Sequence, residues 1–151
     1  MKEFSSINDI LDFAIAGEQD AVDFYSKLAN DLKNEAMKKV FIEFAGEEMK
    51  HKAKLLDIKE KEMYEVSSSV IADLKISDYV IKAQAGPNMS YQDALILAMN
   101  KEKASFKLYS NLADHAPNAE IKSLFLMLAQ EESKHKLRFE IEYDEYVLRE
   151  N

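Results

Sequence analysis

The sequence carries two copies of Glu-x-x-His, a spacing that can supply metal ligands. Glu48 and His51 form the first copy, and Glu132 and His135 form the second. Residues three apart on a helix share a face, so each pair would present a carboxylate oxygen and an imidazole nitrogen together. A single Glu-x-x-His is more often a solvated ion pair than a metal site. The two copies have to be judged by what accompanies them.

Each copy is preceded by a further glutamate inside an apolar helical stripe, 30 positions before its own Glu. These are Glu18 and Glu102, and all members of the two sets recur at one offset of 84 positions without a gap. Tyr25 and Tyr109 recur at the same offset. This self-similarity indicates a helical hairpin that is present twice. The predicted metal ligands are Glu18, Glu48, His51, Glu102, Glu132 and His135.

Four carboxylates in one helical core would be very costly without cations or protons. Two divalent ions would balance their charge. A Glu from each of two helices, with Glu-x-x-His from the other two, is the general pattern of di-iron and di-manganese carboxylate bundles. The oxygen and nitrogen donors favour iron or manganese, and zinc could occupy the site without redox chemistry. We expect Glu48 and Glu132 to bridge the metals and Glu18 and Glu102 to bind one metal each.

Apolar residues spaced three and four apart predict four long helices that position these ligands. The predicted starts are the pair Ser5-Ser6, the turn at Lys33-Asn34, Ser90, and the residues around Pro117, which can occupy the first turn of the fourth helix. Two of the three connections are short, and short turns make antiparallel neighbours.

The middle connection, over about 63–89, is long enough to return the chain to the same end of a bundle. We expect it to hold one short helix around 77–84. The prediction is an all-α, four-helix bundle of two antiparallel hairpins joined by a long crossover. It forms a single domain over 1–151, with repeat halves at about 6–62 and 90–148.

Composition excludes several kinds of function. The 151 residues carry a formal net charge of −8 and include no cysteine. Without cysteine there is no disulfide framework, thiol nucleophile or cysteine-ligated iron centre, and a reducing cytoplasm is a suitable location. An acidic chain lacks the cationic field that nucleic acids and anionic membranes attract. The sequence contains no run of eighteen apolar residues, so we expect neither a membrane span nor a nucleic-acid partner.

The duplicated set resembles the ferritin-like di-iron domain of the rubrerythrin family. The resemblance rests on Glu18, Tyr25 and the motif Glu48-Met-Lys-His51, repeated as Glu102, Tyr109 and Glu132-Ser-Lys-His135, and it extends over about residues 6–148. It implies a ferritin-like fold, two iron ions, reduction of hydrogen peroxide and a homodimer. Rubrerythrins also carry a further Glu three residues after the third-helix Glu, where this chain has Ser105. The electrons would come from a separate donor such as a rubredoxin, because no Cys-x-x-Cys module is present.

Tyr25 and Tyr109 have two interpretations. Each follows its glutamate by seven positions and so points in nearly the same helical direction. They could pack in the core with satisfied hydroxyls. Alternatively, each could donate a hydrogen bond to a ligand carboxylate across the bundle, or a proton during catalysis.

Three functions are consistent with these residues. The first is a di-iron or di-manganese enzyme that reduces hydrogen peroxide or O₂, an oxidoreductase of the peroxidase type. The second is a protein that binds, stores or senses ferrous iron without repeated turnover. The third is a structural bundle whose buried acids are protonated or hydrogen-bonded. It predicts that Glu48→Ala and Glu132→Ala stabilise the fold with or without metal.

Overall fold

The computed structural model describes residues 3–81, 86 and 89–150, and those residues form helices without a β-strand. The prediction of an all-α protein is therefore confirmed. The helices are α1 (Ile7–Asp31), α2 (Glu35–Glu60), α3 (Ser68–Asp73), a 3₁₀ helix (Ile76–Asp78), α4 (Tyr91–Asp114) and α5 (Ala119–Glu150).

Side-chain caps fix where the four long helices begin. Ser6, Asn34, Ser90 and Asn118 each accept a hydrogen bond from the backbone N–H three residues later, at 2.9–3.1 Å. Each cap satisfies one of the N–H groups that a helix leaves without an internal partner. We expected Pro117 to occupy the first turn of the fourth helix. This expectation is wrong, because Asn118 caps α5 and Pro117 precedes the cap.

The first compact unit, Phe4–Leu74, is built on a hairpin of α1 and α2. Three residues join these helices, a length that allows only an antiparallel arrangement of the contacting pair. Its buried side chains recur at helical spacing along both helices, as predicted. They include Ile10, Leu11, Ala14, Tyr25, Phe41, Leu55 and Ile58.

The second compact unit, built from Lys75 onward, contains the 3₁₀ helix and a hairpin of α4 and α5. The connection 115–118 is again short, so these two helices are also antiparallel. The buried side chains include Leu95, Ala98, Leu108, Leu112, Phe125, Leu128 and Phe139. Whether the two units make one domain over 1–151 stays a prediction.

The middle connection differs in detail from the prediction. It holds a short helix, but this is α3 at Ser68–Asp73, followed by the 3₁₀ helix Ile76–Asp78. The helix predicted around 77–84 overlaps the 3₁₀ helix at residues 77 and 78, but it does not continue, because 79–81 are not helical. Residues 82–85 lie outside the described residues.

Candidate metal centre

The first hairpin brings together Glu18 of α1 with Glu48 and His51 of α2, here called the first triad. Each of the three side chains is only 1% exposed. Glu48 and His51 share one face of α2 because they are three residues apart. Ordinary burial does not explain two carboxylates and an imidazole in a helical core, since charged side chains are almost never fully buried unless they are paired.

The imidazole of His51 meets both carboxylates through one atom. Its Nδ1 lies 3.3 Å from Oε1 of Glu48 and 3.6 Å from Oε2 of Glu18. Both separations exceed the usual length of an N–H···O hydrogen bond. They are close to the roughly 3.0–3.4 Å between neighbouring donor atoms that share a metal at about 2.1 Å. The first triad therefore has the spacing of a set of metal ligands.

The second hairpin repeats this arrangement with Glu102 of α4 and Glu132 and His135 of α5, here called the second triad. These side chains are 1%, 0% and 3% exposed. Nδ1 of His135 lies 3.5 Å from Oε1 of Glu102. Within each triad every residue offers a ligand atom, and these atoms lie within 4.8 Å of one another. All six predicted ligands thus fall in two buried clusters, three in each.

The donor chemistry of the triads fits a divalent transition metal. Each supplies carboxylate oxygens and one imidazole nitrogen, a set that suits iron, manganese or zinc. A cation would also offset the cost of burying two carboxylates in each hairpin. The residues present therefore fit the metal that their spacing predicts.

Tyr25 and Tyr109 occupy equivalent environments in the two hairpins. They are 0% and 1% exposed. The Tyr25 ring packs 5.8 Å from that of Phe41, and the Tyr109 ring packs 6.0 Å from that of Phe125. These aromatic contacts agree with a packing role, and a catalytic role for either hydroxyl stays a prediction.

Glu142 is a buried acid that the sequence reasoning missed. It is 3% exposed, and its Oε1 accepts hydrogen bonds from Tyr91 Oη at 3.3 Å and from Arg149 Nη2 at 3.1 Å. The Tyr91 ring also packs edge-on against Tyr146, at 5.0 Å between centroids. Burial is the main cause that raises the pKa of the Tyr91 hydroxyl, and the nearby charge of Glu142 raises it further. The sequence signal was the i, i+4, i+7 spacing of 142, 146 and 149, which puts them on one face of α5.

Other conspicuous residues lie outside the two triads. Glu47 and Glu131, which neighbour the predicted ligands, are half-buried and are not members of either cluster. Nδ1 of His115 lies 2.9 Å from the carbonyl oxygen of Asn111, at the end of α4. That contact gives His115 a local role at a helix end.

None of the helices within the described residues combines the length and apolar character that a membrane span requires.

Comparison with known proteins identifies the fold and the family. A family model described as rubrerythrin matches residues 9–143. A crystal structure from Thermotoga maritima, provisionally described as that of a ferritin-like diiron-carboxylate protein, is similar with a TM-score of 0.78. The two sequences are 21% identical, and the match covers 97% of this chain and 99% of that one. No match was found among curated proteins.

The helical fold and the buried Glu/His clusters define a helical, carboxylate-rich class of metal-binding proteins. Because the family model covers most of its length, the chain belongs to the rubrerythrin family. The structural similarity confirms the predicted ferritin-like helical bundle. Family and clusters together indicate two metal ions, without identifying the metal.

Proposed function

We propose that this protein is a di-iron or di-manganese redox enzyme that reduces hydrogen peroxide or O₂ with electrons from an external donor. The observation that carries the proposal is the presence of two buried triads with the same composition in equivalent places of two hairpins. Membership in the rubrerythrin family supports it.

The six triad residues would hold two metal ions, and each triad would supply two carboxylates and one imidazole. Four carboxylates balance the charge of two divalent cations, and the two imidazoles add neutral donors. When bound, iron or manganese supplies the one-electron couples through which peroxide or O₂ accepts electrons. Zinc in the same site would not support peroxide reduction, since it has no redox chemistry.

The protein contributes an environment that excludes water. The ligand side chains are at most 3% exposed, so charge in the site is weakly screened. Reduction of one hydrogen peroxide to two waters takes up two electrons and two protons. The hydroxyls of Tyr25 and Tyr109 are the candidates for orienting a ligand carboxylate or passing a proton.

An external reductant is part of the proposal because the sequence contains no cysteine that could hold a second iron centre. A rubredoxin-like protein in the cytoplasm is the donor that the family resemblance suggests. We also propose that the protein works as a homodimer.

The alternative function is binding, storage or sensing of ferrous iron without repeated turnover. The same buried triads support it, because metal binding and catalysis require the same ligands. The two functions differ in whether oxidation continues when a reductant is supplied.

Anaerobic titration tests the proposal. The protein is loaded with ferrous iron, the iron-to-chain ratio is measured, and hydrogen peroxide is added with and without an excess of reductant. The enzyme reading predicts a ratio near two, oxidation faster than that of free ferrous ion, and sustained turnover with reductant. Glu47→Gln serves as a control variant outside the triads.

The other outcomes decide against specific parts of the proposal. A ratio near two with a single round of oxidation supports the iron-binding alternative. A ratio near zero under metal-replete conditions contradicts both functions and favours a structural role for the buried acids.

A further inference from the structure

The first hairpin contains a cavity of 310 Å³ where α1 begins and α2 ends, here called the α2-end cavity. Its apolar wall includes Leu11, Ile58 and Tyr64, which are 1%, 1% and 2% exposed. Leu11 precedes Glu18 by seven residues, and Ile58 follows His51 by seven. The wall is therefore about 10.5 Å along each helix from the first triad. None of the described residues that line the cavity belongs to a triad.

The size of the α2-end cavity suits a small organic molecule. Its volume lies at the lower end of the roughly 300–1,000 Å³ of ligand pockets, and liquid water would fill it with about ten molecules. Close-packed protein interiors seldom leave that much room beside buried side chains. The cavity is therefore a candidate binding site separate from the metal centre.

Acidic side chains border the α2-end cavity. Glu62 and Glu65 line it and are exposed, and neither has an ion pair within the part of the chain that the structure describes. Lys59 also lines it, but its Nζ lies 2.6 Å from Oδ1 of Asp12, which offsets its charge. The rim therefore presents two uncompensated carboxylates. An apolar cavity with a negative rim favours a cationic ligand over a neutral or anionic one.

The backbone at Glu62 indicates that its side chain has a role besides ending the helix. The N–H of Met63 donates to the carbonyl oxygen of Ile58 at 3.0 Å, and that of Glu62 donates to Lys59 at 3.2 Å. This pair of hydrogen bonds ends a helix at a residue in the left-handed conformation, where glycine is usual. Here the residue is Glu62, with φ of 53°. A glutamate in this position supplies a carboxylate to the rim at a cost in backbone strain.

The second hairpin shows which groups fill the equivalent space. At the repeat offset, three lining positions of the cavity carry Tyr91, Tyr146 and Arg149. The two rings pack edge-on at 5.0 Å, and Cζ of Arg149 lies 5.8 Å from the centroid of the Tyr146 ring. The carboxylate of Glu142 accepts a hydrogen bond from this arginine at 3.1 Å. Aromatic rings, a cation and a carboxylate that holds the cation thus occupy this part of the second hairpin.

We propose that the α2-end cavity binds a small organic cation in which one aromatic ring is joined to a protonated amine. The ring packs against Leu11, Ile58 and Tyr64, and the ammonium group lies at the rim beside Glu62 and Glu65. Removal of the ring from water favours binding, and contact with the Tyr64 ring adds to it. The ligand supplies the ring and the cation that the second hairpin draws from its own chain. Because no triad residue takes part, this proposal does not depend on the proposed function.

Titration of the metal-free full chain with phenethylamine, followed by NMR of the backbone amides, tests the site. The amide shifts should saturate with a dissociation constant of about 1 mM or lower, and the largest changes should fall at Leu11, Ile58 and Val66. The zinc-loaded protein should give the same constant, because the cavity contains no metal ligand. An absence of saturable shifts, or shifts confined to the triads, would overturn the proposal.

Three analogues of similar size test the chemical class of the ligand. Phenethyl alcohol replaces the ammonium group by a neutral hydroxyl and should bind about fivefold more weakly, and hydrocinnamate, an anion, should bind more weakly still. Hexylamine keeps the cation without the ring and should bind about threefold more weakly or worse. If the alcohol or hexylamine binds as tightly as phenethylamine, the cavity does not select an aromatic cation.

Substitutions at the rim test the position of the ammonium group. Glu62→Gln and Glu65→Gln should each weaken binding about threefold, and the double variant about tenfold. Glu62→Gly should weaken binding as Glu62→Gln does, although it relieves the backbone strain, so lost stability would not explain the effect. Glu60→Gln is the matched control, because Glu60 is exposed, does not line the cavity and carries the same charge. If this control weakens binding equally, the net charge of the chain attracts the amine and the cavity does not.

Ile7→Tyr tests the cavity itself by copying the second hairpin, where Tyr91 begins α4 as Ile7 begins α1. The added ring takes up space in the cavity and should weaken binding about tenfold or more. Far-ultraviolet circular dichroism shows whether the helices are intact. Undiminished binding by the folded variant would place the amine outside the cavity. The glutamate variants, at exposed positions, test the site whether or not Ile7→Tyr folds.

Discussion

Glu48→Gln should remove most of the stabilisation that a metal ion gives to this protein. Glu48 is 1% exposed, and its Oε1 lies 3.3 Å from Nδ1 of His51. Glutamine keeps the shape of the side chain but removes the negative charge and one carboxylate oxygen donor. We expect the loss of this ligand to lower the metal affinity by about 100-fold or more.

The size of the effect follows from mass action. At a free metal concentration of about 100 times the dissociation constant, binding stabilises the folded state by about 2.7 kcal/mol. For a chain of 151 residues, that corresponds to a rise in Tm of about 5–11 °C. If the affinity falls about 100-fold, the same metal concentration contributes only about 0.4 kcal/mol and about 1–2 °C.

Differential scanning calorimetry with and without manganese(II) measures this difference without oxidation in air. The control is Glu47→Gln, which makes the same change one position away, on a half-buried residue outside the triads. Without metal, Glu48→Gln should be as stable as the wild type or more stable, because it removes a buried negative charge. If both variants retain the full metal-induced rise in Tm, Glu48 is not a ligand.

Three further results are expected. Tyr91→Phe should reduce the loss of stability at alkaline pH, because burial raises the pKa of the Tyr91 hydroxyl in the folded chain. In the unfolded chain this hydroxyl ionises near pH 10, so its contribution to stability falls as the pH rises above about 10. Urea unfolding of the wild type and the variant at about pH 8 and about pH 11 measures the difference. Tyr25→Phe and Tyr109→Phe should lower steady-state peroxide reduction about tenfold or more at an unchanged metal-to-chain ratio; an unchanged rate would assign both rings to packing. Phe41→Ala, at a fully buried position, should lower the free energy of unfolding by about 3–5 kcal/mol in urea titrations.

The helices and the candidate ligands were predictable from the sequence because two independent patterns coincide there. Apolar periodicity places α1, α2, α4 and α5, and serine or asparagine caps mark their starts. The duplication then picks out buried polar positions that periodicity alone would treat as interruptions. Glu18 illustrates this, since a single glutamate in an apolar stripe has no unique meaning until Glu102 repeats it.

The middle connection was less predictable because its elements are too short to show a period. The helix α3 has six residues, fewer than two turns, so its apolar residues cannot define a face. Its start at Ser68 follows Ser67, which lies in a run of three serines where several positions could serve as the cap. The packing of Ile71 and Leu74, both buried, decides the position of the helix.

Glu142 was missed for a related reason, because it occurs in only one hairpin. At the repeat offset, the first hairpin has Ile58 in its place. A glutamate with an apolar counterpart carries no duplication signal. Its partner Tyr91 is distant in sequence, and its partner Arg149 lies at the end of α5. Only the folded chain shows that the three side chains meet.

This difference between the hairpins extends to their packing. In the first hairpin, the positions equivalent to the Glu142 cluster line a cavity of 310 Å³. The four pairs related by the offset are Ile7 and Tyr91, Ile58 and Glu142, Glu62 and Tyr146, and Glu65 and Arg149. Two aromatic rings and a salt bridge occupy the second hairpin where the first has smaller or shorter side chains.

The two halves therefore agree at the triads and differ where α1 and α4 begin and α2 and α5 end. Packing alone does not require the agreement, because apolar side chains of similar volume would fill the same buried positions without the cost of burying charge. The differences show that the two hairpins accept different side chains at positions where no metal ligand is required. Identity at buried glutamates and histidines, in hairpins that diverge where α1 and α4 begin, is thus better explained by a common requirement for metal ligands than by the fold itself.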